Sequence, residues 1–143
     1  MATSRPTRRA EADRHARVRA AHASETAEDY VEAIARVIAD RGACRVVDLV
    51  RRFGVSHVTV SRTVGRLVRD GLARTAPHAP IVLTPRGRRL ALTAAARHEL
   101  VVRFLVALGL DARTAEIDAE GIEHHVSPKT LRLFARFVRT HDA

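Results

Sequence analysis

Apolar residues recur at three- and four-residue steps along most of this 143-residue chain, the spacing that lines one face of a helix. Tyr30, Ile34, Val37 and Ile38 make the first such stripe. Thr26 followed three residues on by Asp29 has the pattern of a capping box, so a helix is expected to start near Thr26 and to stop at Gly42. A shorter run, Val46, Val47, Leu49, Val50 and Phe53, ends at Gly54. Ser56 is placed to cap the next helix, whose buried side is Val60, Val64, Leu67 and Val68 and which stops at Gly71. Two short helices about a glycine turn predict a helix-turn-helix. Short strands at 72–76 and 81–84, around Pro77-His78-Ala79-Pro80, predict a wing directly after it. Pro85 suits the first turn of a long helix running to about Leu108, with Leu100, Val101, Phe104, Leu105 and Leu108 on its apolar second half. A helix over 114–125 follows. Ser127 and Pro128 then open a last one, lined by Leu131, Phe134 and Val138 with Leu133 and Phe137 adjacent.

The pattern is that of a mainly α protein. An N-terminal winged helix-turn-helix domain over 24–90, three helices plus a two-stranded wing, is joined by the long helix to an all-α segment over 91–143. That segment carries more apolar helical surface than a small domain hides internally, so it is expected to pack against a second copy. Residues 1–23 are rich in Arg and Ala, and between Ala10 and Ala21 only Val18 is there to bury. They read as a basic arm, mobile or weakly helical in isolation, with an accessory phosphate contact as its candidate role.

Charge narrows the partner. The formal net charge is +9 and the pI about 11.4, which points to a polyanion, nucleic acid first and an anionic membrane surface second. Residues 45–75 hold seven Arg against Asp48 and Asp70, whereas 24–44 and 111–143 are net acidic. Cys44 is the only cysteine, which excludes a disulfide framework and a thiolate zinc site. No apolar run reaches membrane-spanning length and no signal-peptide core opens the chain, so the expected location is the cytoplasm.

Two sets of residues carry candidate chemistry. On the predicted recognition helix, Ser56, His57, Thr59, Ser61, Arg62 and Arg66 supply short hydroxyls and forked donors suited to base edges and phosphates, with Arg74 and His78 on the wing. The second set centres on Asp118-Ala119-Glu120-Gly121-Ile122-Glu123-His124-His125. In a helix Glu120, Glu123 and His124 stand at i, i+3 and i+4 on one face. Two carboxylates beside an imidazole suit a divalent metal; a solvated acidic face is the plain alternative. Asp29 and Glu32, three apart, are equally explained by the favourable effect of acidic groups at a helix start. His98 stands where the basic and apolar halves of the long helix meet, and a lone histidine there is most often a satisfied polar residue.

Several strings together resemble the manganese transport regulators, the manganese-sensing branch of the diphtheria toxin repressor superfamily. They are Glu28-Asp29-Tyr30-Val31-Glu32, the winged helix-turn-helix, Leu83-Thr84 followed by Gly87, Arg97-His98-Glu99-Leu100, and Glu120-Gly121-Ile122-Glu123-His124-His125. The resemblance runs from about Thr26 onward. It implies a metal site drawn from three helices, falling here on Asp29, Glu32, His98, Glu120, Glu123 and His124, and holding two manganese(II) ions per subunit. The iron-sensing branch places sulfur ligands where this chain has Asp29 and Glu123, and carboxylates there suit a harder ion. That branch also carries a further C-terminal domain resembling an SH3 barrel, which this chain is expected to lack. The implied function is a homodimeric, manganese-responsive repressor of manganese-uptake genes that binds a double-stranded DNA operator, with no membrane and no small-molecule substrate. The alternatives are an iron(II)-responsive repressor of the same fold, a metal-independent DNA-binding module, and a metal-dependent hydrolase. For the last, His98-Glu99 lacks the second histidine of an HExxH pattern.

Overall fold

The computed structural model describes residues 8–141. The elements in chain order are α1 (Arg8–Arg41), α2 (Val46–Phe53), α3 (His57–Arg69), β1 (Ala73–Arg74), β2 (Val82–Leu83), α4 (Pro85–Ala107), α5 (Ala112–Ile122), a 3-10 turn (Glu123–His125) and α6 (Pro128–His141). The order is the expected one: three helices and a two-stranded wing, a long helix, then further helices.

The start of α1 departs from the sequence expectation. The helix does not begin at Thr26 but continues unbroken from Arg8, giving 34 residues. The reason lies in residues 10–23, whose Ala and Arg are strong helix formers, so the helix propagates through the capping pattern. Thr26 then bonds back, its hydroxyl donating to the His22 carbonyl at 2.9 Å, instead of capping forward. Residues 8–23 of the expected basic arm are therefore a helical extension, exposed throughout, while residues 1–7 lie outside those described.

Two clusters of buried residues form the interior, and α4 runs through both. In the first, Val31 and Ile34 of α1 meet Leu49 of α2, Val60, Val64 and Leu67 of α3, the wing residues Leu72, Ile81 and Leu83, and Ala91 of α4. Tyr30 stacks on Phe53 with centroids 4.4 Å apart. In the second, Val101 and Leu105 of α4 pack on Ala115 and Ala119 of α5, with Phe104 and Phe134 beside them. Phe104 and Phe134 stack at 3.8 Å, tying α6 to α4. A fully buried side chain such as Leu49 or Val101 contributes about 1.5–3 kcal/mol. Val68, expected on the buried side of α3, is 37% exposed, because Val60, Val64 and Leu67 already centre the stripe and leave it on the shoulder.

The wing strands are two residues each, shorter than expected, in antiparallel register with Ala73 opposite Leu83 and Arg74 opposite Val82. Pro77 and Pro80 offer no amide donors between them, which limits the ladder. The Ile81 amide donates instead to the Cys44 carbonyl at 2.7 Å, fastening the wing to the loop after α1. Pro85 opens α4, as the sequence indicated, and Thr84, expected to close the second wing strand, caps the helix. Gly87 is required there: a Cβ at this position would strike the Leu72 carbonyl.

Candidate metal centre

The longer α1 changes the meaning of Asp29. It stands about six turns inside the helix, so helix-start electrostatics no longer account for it. The helix carrying the acidic motif is also not uniform. Asp111 caps α5, its carboxylate accepting from the Thr114 amide at 3.0 Å, so the helix starts at Ala112 and not at Thr114. It ends at Ile122, and Glu123–His125 tighten into a 3-10 turn. The expected single α-helical face of Glu120, Glu123 and His124 is thus broken after Ile122. Glu123 is left buried at 3% exposure, and His124 is brought to α1.

The geometry gathers Asp29, Glu123 and His124 into one group, with a ligand atom of each within 4.8 Å of the others. His98, Glu120 and Glu123 form a second group at the same spacing, and Glu123 belongs to both. His124 Nε2 lies 3.2 Å from Asp29 Oδ1 and 3.3 Å from Glu123 Oε1. His98 Nδ1 lies 2.6 Å from Glu123 Oε2. Glu32 enters neither group. It lines the open cleft of about 720 Å³ that also holds Asp29, His98 and Glu120, and it pairs with Arg36 at 3.4 Å. Asp118 is exposed on α5.

Three neighbours were not singled out from the sequence. Glu28 pairs with Arg97 of α4 and accepts from His124 Nδ1 at 3.3 Å. With Nδ1 held by Glu28, the neutral imidazole turns its Nε2 lone pair toward Asp29 and Glu123. Glu116 lies 2.8 Å from His98 Nε2. Each carried a signal: Glu28 and Arg97 are the first residues of two strings that carried the resemblance, and Glu116 stands one turn before Glu120. His125, more exposed, lies 3.2 Å from Glu25.

Electrostatics fit a cation at this cluster. Burial pushes the Asp29 carboxyl above its ordinary range; His124 opposes the shift, and the charges of Glu120, Glu32 and Glu28 add to it. Burial likewise raises Glu123, against the pull of His98 and His124. For His98 burial alone would lower the pKa, but hydrogen bonds to Glu116 and Glu123 outweigh it and the net shift is upward. Both His98 nitrogens face carboxylates, an arrangement that favours the protonated imidazole. Crowded carboxylates whose pKa values are pushed upward, with imidazoles beside them, form a donor set that a divalent cation would satisfy by displacing protons. Three oxygen donors with two imidazoles suit a hard to borderline ion.

The helix-turn-helix surface lies elsewhere. Ser56 caps α3, its hydroxyl accepting from the Thr59 amide at 3.1 Å and facing the Thr59 hydroxyl at 2.9 Å. His57, Thr59, Ser61, Arg62 and Arg66 are all exposed. Ser61 and His57 approach at 3.4 Å. Val58, 59% exposed beside them, adds an apolar contact point suited to a thymine methyl. At the wing tip the His78 carbonyl accepts from Arg45 at 3.2 Å, and His78 has φ 61.

Comparison with known proteins agrees with both halves. Residues 84–142 match the family described as iron dependent repressor, metal binding and dimerisation domain, and residues 33–80 match the MarR family. The chain is 43% identical over 124 residues to the transcriptional regulator MntR of Salmonella typhimurium, covering 87% of this chain and 79% of that one. It is 35% identical over 112 residues to the HTH-type transcriptional regulator MntR of Lysinibacillus sphaericus, covering 78% and 81%. Among solved structures, a manganese-dependent transcriptional repressor in complex with manganese superposes with TM-score 0.69 at 32% identity, covering 78% of this chain and 52% of that one. The manganese regulator SloR superposes with TM-score 0.69 at 26% identity, covering 79% and 53%. This chain thus spans about half the length of each of those two. With a winged helix-turn-helix, an acidic histidine-bearing cluster and these identities in hand, the chain belongs to the MntR family of transcriptional regulators, whose members are not enzymes.

Proposed function

We propose that the protein is a manganese(II)-responsive repressor of manganese-uptake genes, working in the cytoplasm as a homodimer on a double-stranded DNA operator. The observation that carries this is Glu123, buried and shared between two groups of ligand-spaced donors. Asp29, Glu123 and His124 would hold one ion, and His98, Glu120 and Glu123 a second, Glu123 being common to both groups. Glu32 completes the cleft and is the nearest further carboxylate. Thiolate ligands are missing from the cluster, and its oxygen-rich composition favours manganese over softer ions.

The bound ions supply positive charge that offsets closely placed carboxylates. Asp29 and Glu32 stand on α1, inside a winged segment of 24–90; His98 stands on α4; Glu120, Glu123 and His124 belong to a dimerising segment of 91–143. Without that charge, Asp29, Glu120 and Glu32 repel one another across the joint and favour other arrangements of α1 against α5. Drawing them together biases the population toward one arrangement of the α3 helices in the dimer, so that both meet successive major grooves. Val106, Leu108, Ile117 and Leu133, exposed apolar side chains on or beside α4, α5 and α6, are candidates for the dimer contact. Ser56, His57, Thr59, Ser61, Arg62 and Arg66 would face the operator. Among the described residues no helix is long and apolar enough to cross a membrane.

One observation favours a second reading. The family matching residues 84–142 is described as iron dependent, so iron(II) is the rival effector. Titrating DNA binding against each divalent metal at buffered free concentration separates them. Manganese at the lower threshold supports the proposal; iron(II) acting at a lower free concentration than manganese overturns it; unchanged binding in chelator removes the metal from the mechanism.

A further inference from the structure

We propose that the helical extension of α1, Arg8 to Ser24, lies along the phosphate backbone of duplex DNA beyond the stretch read by α3. The proposal rests on the DNA-binding reading above and goes past it to an additional contact surface. Residues 8–24 are exposed at every position, so the segment is not part of the core. It is one helix with the buried part of α1, so its direction is fixed by the fold; Arg8 to Ser24 reach about 24 Å.

Its base opens into a basic cleft. Ala23, Ser24 and Ala27 of α1 line one wall, facing Arg66 and Arg69 of α3 and Arg86 and Arg89 of α4. Arg66 and Arg69 also line the surface depression with His57, Ser61 and Arg62 on the recognition helix. Asp70 is the one acidic residue lining this cleft, against four arginines, so net positive charge runs from the face of α3, through the cleft, to the foot of the extension. Helical periodicity carries the same face outward. Ala16 stands seven residues before Ala23, Arg17 seven before Ser24, and Arg9 five full turns before Ala27. Ala12, Ala16 and Ala20 keep this face shallow, so a backbone can come close, and Arg8 and Arg19 flank it. Glu11 and Asp13 stand against Arg8, Arg9, Arg14, Arg17 and Arg19, so the extension is net positive even though Asp13, eleven residues before Ser24, shares this face.

A duplex carries one charge per about 1.7 Å of its axis, so a helix this long faces on the order of ten phosphates. Arginine forks match phosphate oxygens in pairs, and such contacts are indifferent to sequence. The extension thus lengthens the footprint and raises affinity without adding specificity.

The test uses the full chain with manganese on two random-sequence duplexes, one longer than the other by a helical turn at each end. Arg9→Gln, Arg17→Gln and Arg19→Gln are combined, since Gln and Arg have similar helix propensity. On the long duplex the triple variant flattens the slope of log affinity against log salt by about 2–3, at about 0.9 for each phosphate no longer neutralised. On the short duplex the difference shrinks. Equal slopes for variant and wild type on the long duplex overturn the proposal. So does an unchanged slope accompanied by a change of oligomeric mass in sedimentation, which assigns the extension to a contact between copies. If wild-type protein binds neither duplex at low salt, the regulator reading itself fails, and the extension's role with it.

Discussion

Arg97 on α4 pairs with Glu28 on α1, and the same Glu28 oxygen accepts from His124 on the 3-10 turn. One carboxylate thus joins three elements and fixes a ring that faces Asp29 and Glu123. Arg97 and Glu28 side chains are 19% and 15% exposed, so the pair is largely but not fully withdrawn from water. Removing one partner leaves the other charge poorly solvated, whereas removing both does not.

Glu28→Gln is therefore expected to lower the thermal stability of metal-free protein by on the order of 2 kcal/mol, the buried-pair cost discounted for residual exposure. It also weakens manganese binding by roughly 10–100-fold, the usual scale for losing an outer hydrogen-bond partner of a ligand. Adding Arg97→Met recovers much of the stability but little of the metal affinity, because the uncharged Gln oxygen is a weaker acceptor for His124 Nδ1 than the carboxylate it replaces. Calorimetric metal titration beside thermal unfolding measures both. Full recovery of affinity in the double variant would show that Glu28 acts only through Arg97.

The pH dependence has a definite sign. Asp29 and Glu123 are raised from ordinary values of 3.8 and 4.5, and His98 from 6.5. A group whose pKa is raised by folding adds stability below its ordinary value and loses it as pH rises through the folded value. All three act in one direction, so metal-free protein loses stability between the carboxylate range and pH values above 6.5. Manganese-bound protein follows the opposite trend, since binding requires the deprotonated ligands and releases protons. Melting temperatures from about pH 5 to 8, with chelator and with saturating manganese, should diverge as pH increases; parallel curves would separate the cluster from metal binding.

Legibility in the sequence followed the range of each interaction. Ser56 and Pro85 act within a turn of themselves, so the helix starts they mark are found where the pattern put them. Thr26 failed because a local cap competes with what precedes it, and an Ala- and Arg-rich run outweighs one hydroxyl. The 3-10 turn at Glu123 escaped because it depends on contacts with His98 and α1, distant in sequence. The same distance hid Glu28 and Glu116. Their spacing within a helix is visible, but the imidazoles they meet come from other elements. Asp29, His98, Glu120, Glu123 and His124 were reachable because the family strings carried them, not because any one of them is unusual alone.

Two glycines separate packing from propensity. Gly87→Ala sets a methyl against the Leu72 carbonyl, a backbone atom of the wing that cannot rotate away. Overpacking of this kind costs about 1–3 kcal/mol or more, and the loss should appear as a lower melting temperature with weakened DNA binding. Gly121→Ala meets open space inside α5 and is expected to stabilise by about 0.5–1 kcal/mol. Because Gly121 adjoins Glu120, metal affinity is measured alongside. Loss of affinity with raised stability would mean that the turn at Glu123 needs a flexible helix end.

Arg62 tests the recognition face apart from the metal. It is exposed on α3, lines the surface with His57 and Ser61, and lies on a different part of the fold from the Glu123 cluster. Arg62→Ala removes a forked donor without disturbing Val60 or Val64 beneath it. The expected result is weaker operator binding, by about 1–3 kcal/mol if the contact is to a base edge. If the contact is to phosphate, the salt slope falls by roughly 0.9 and the loss is uniform across sequences. Manganese affinity without DNA stays at the wild-type value in either case. Competition between related duplexes distinguishes the two contacts, and an unchanged operator affinity would move the reading surface toward Val58 and the start of α3.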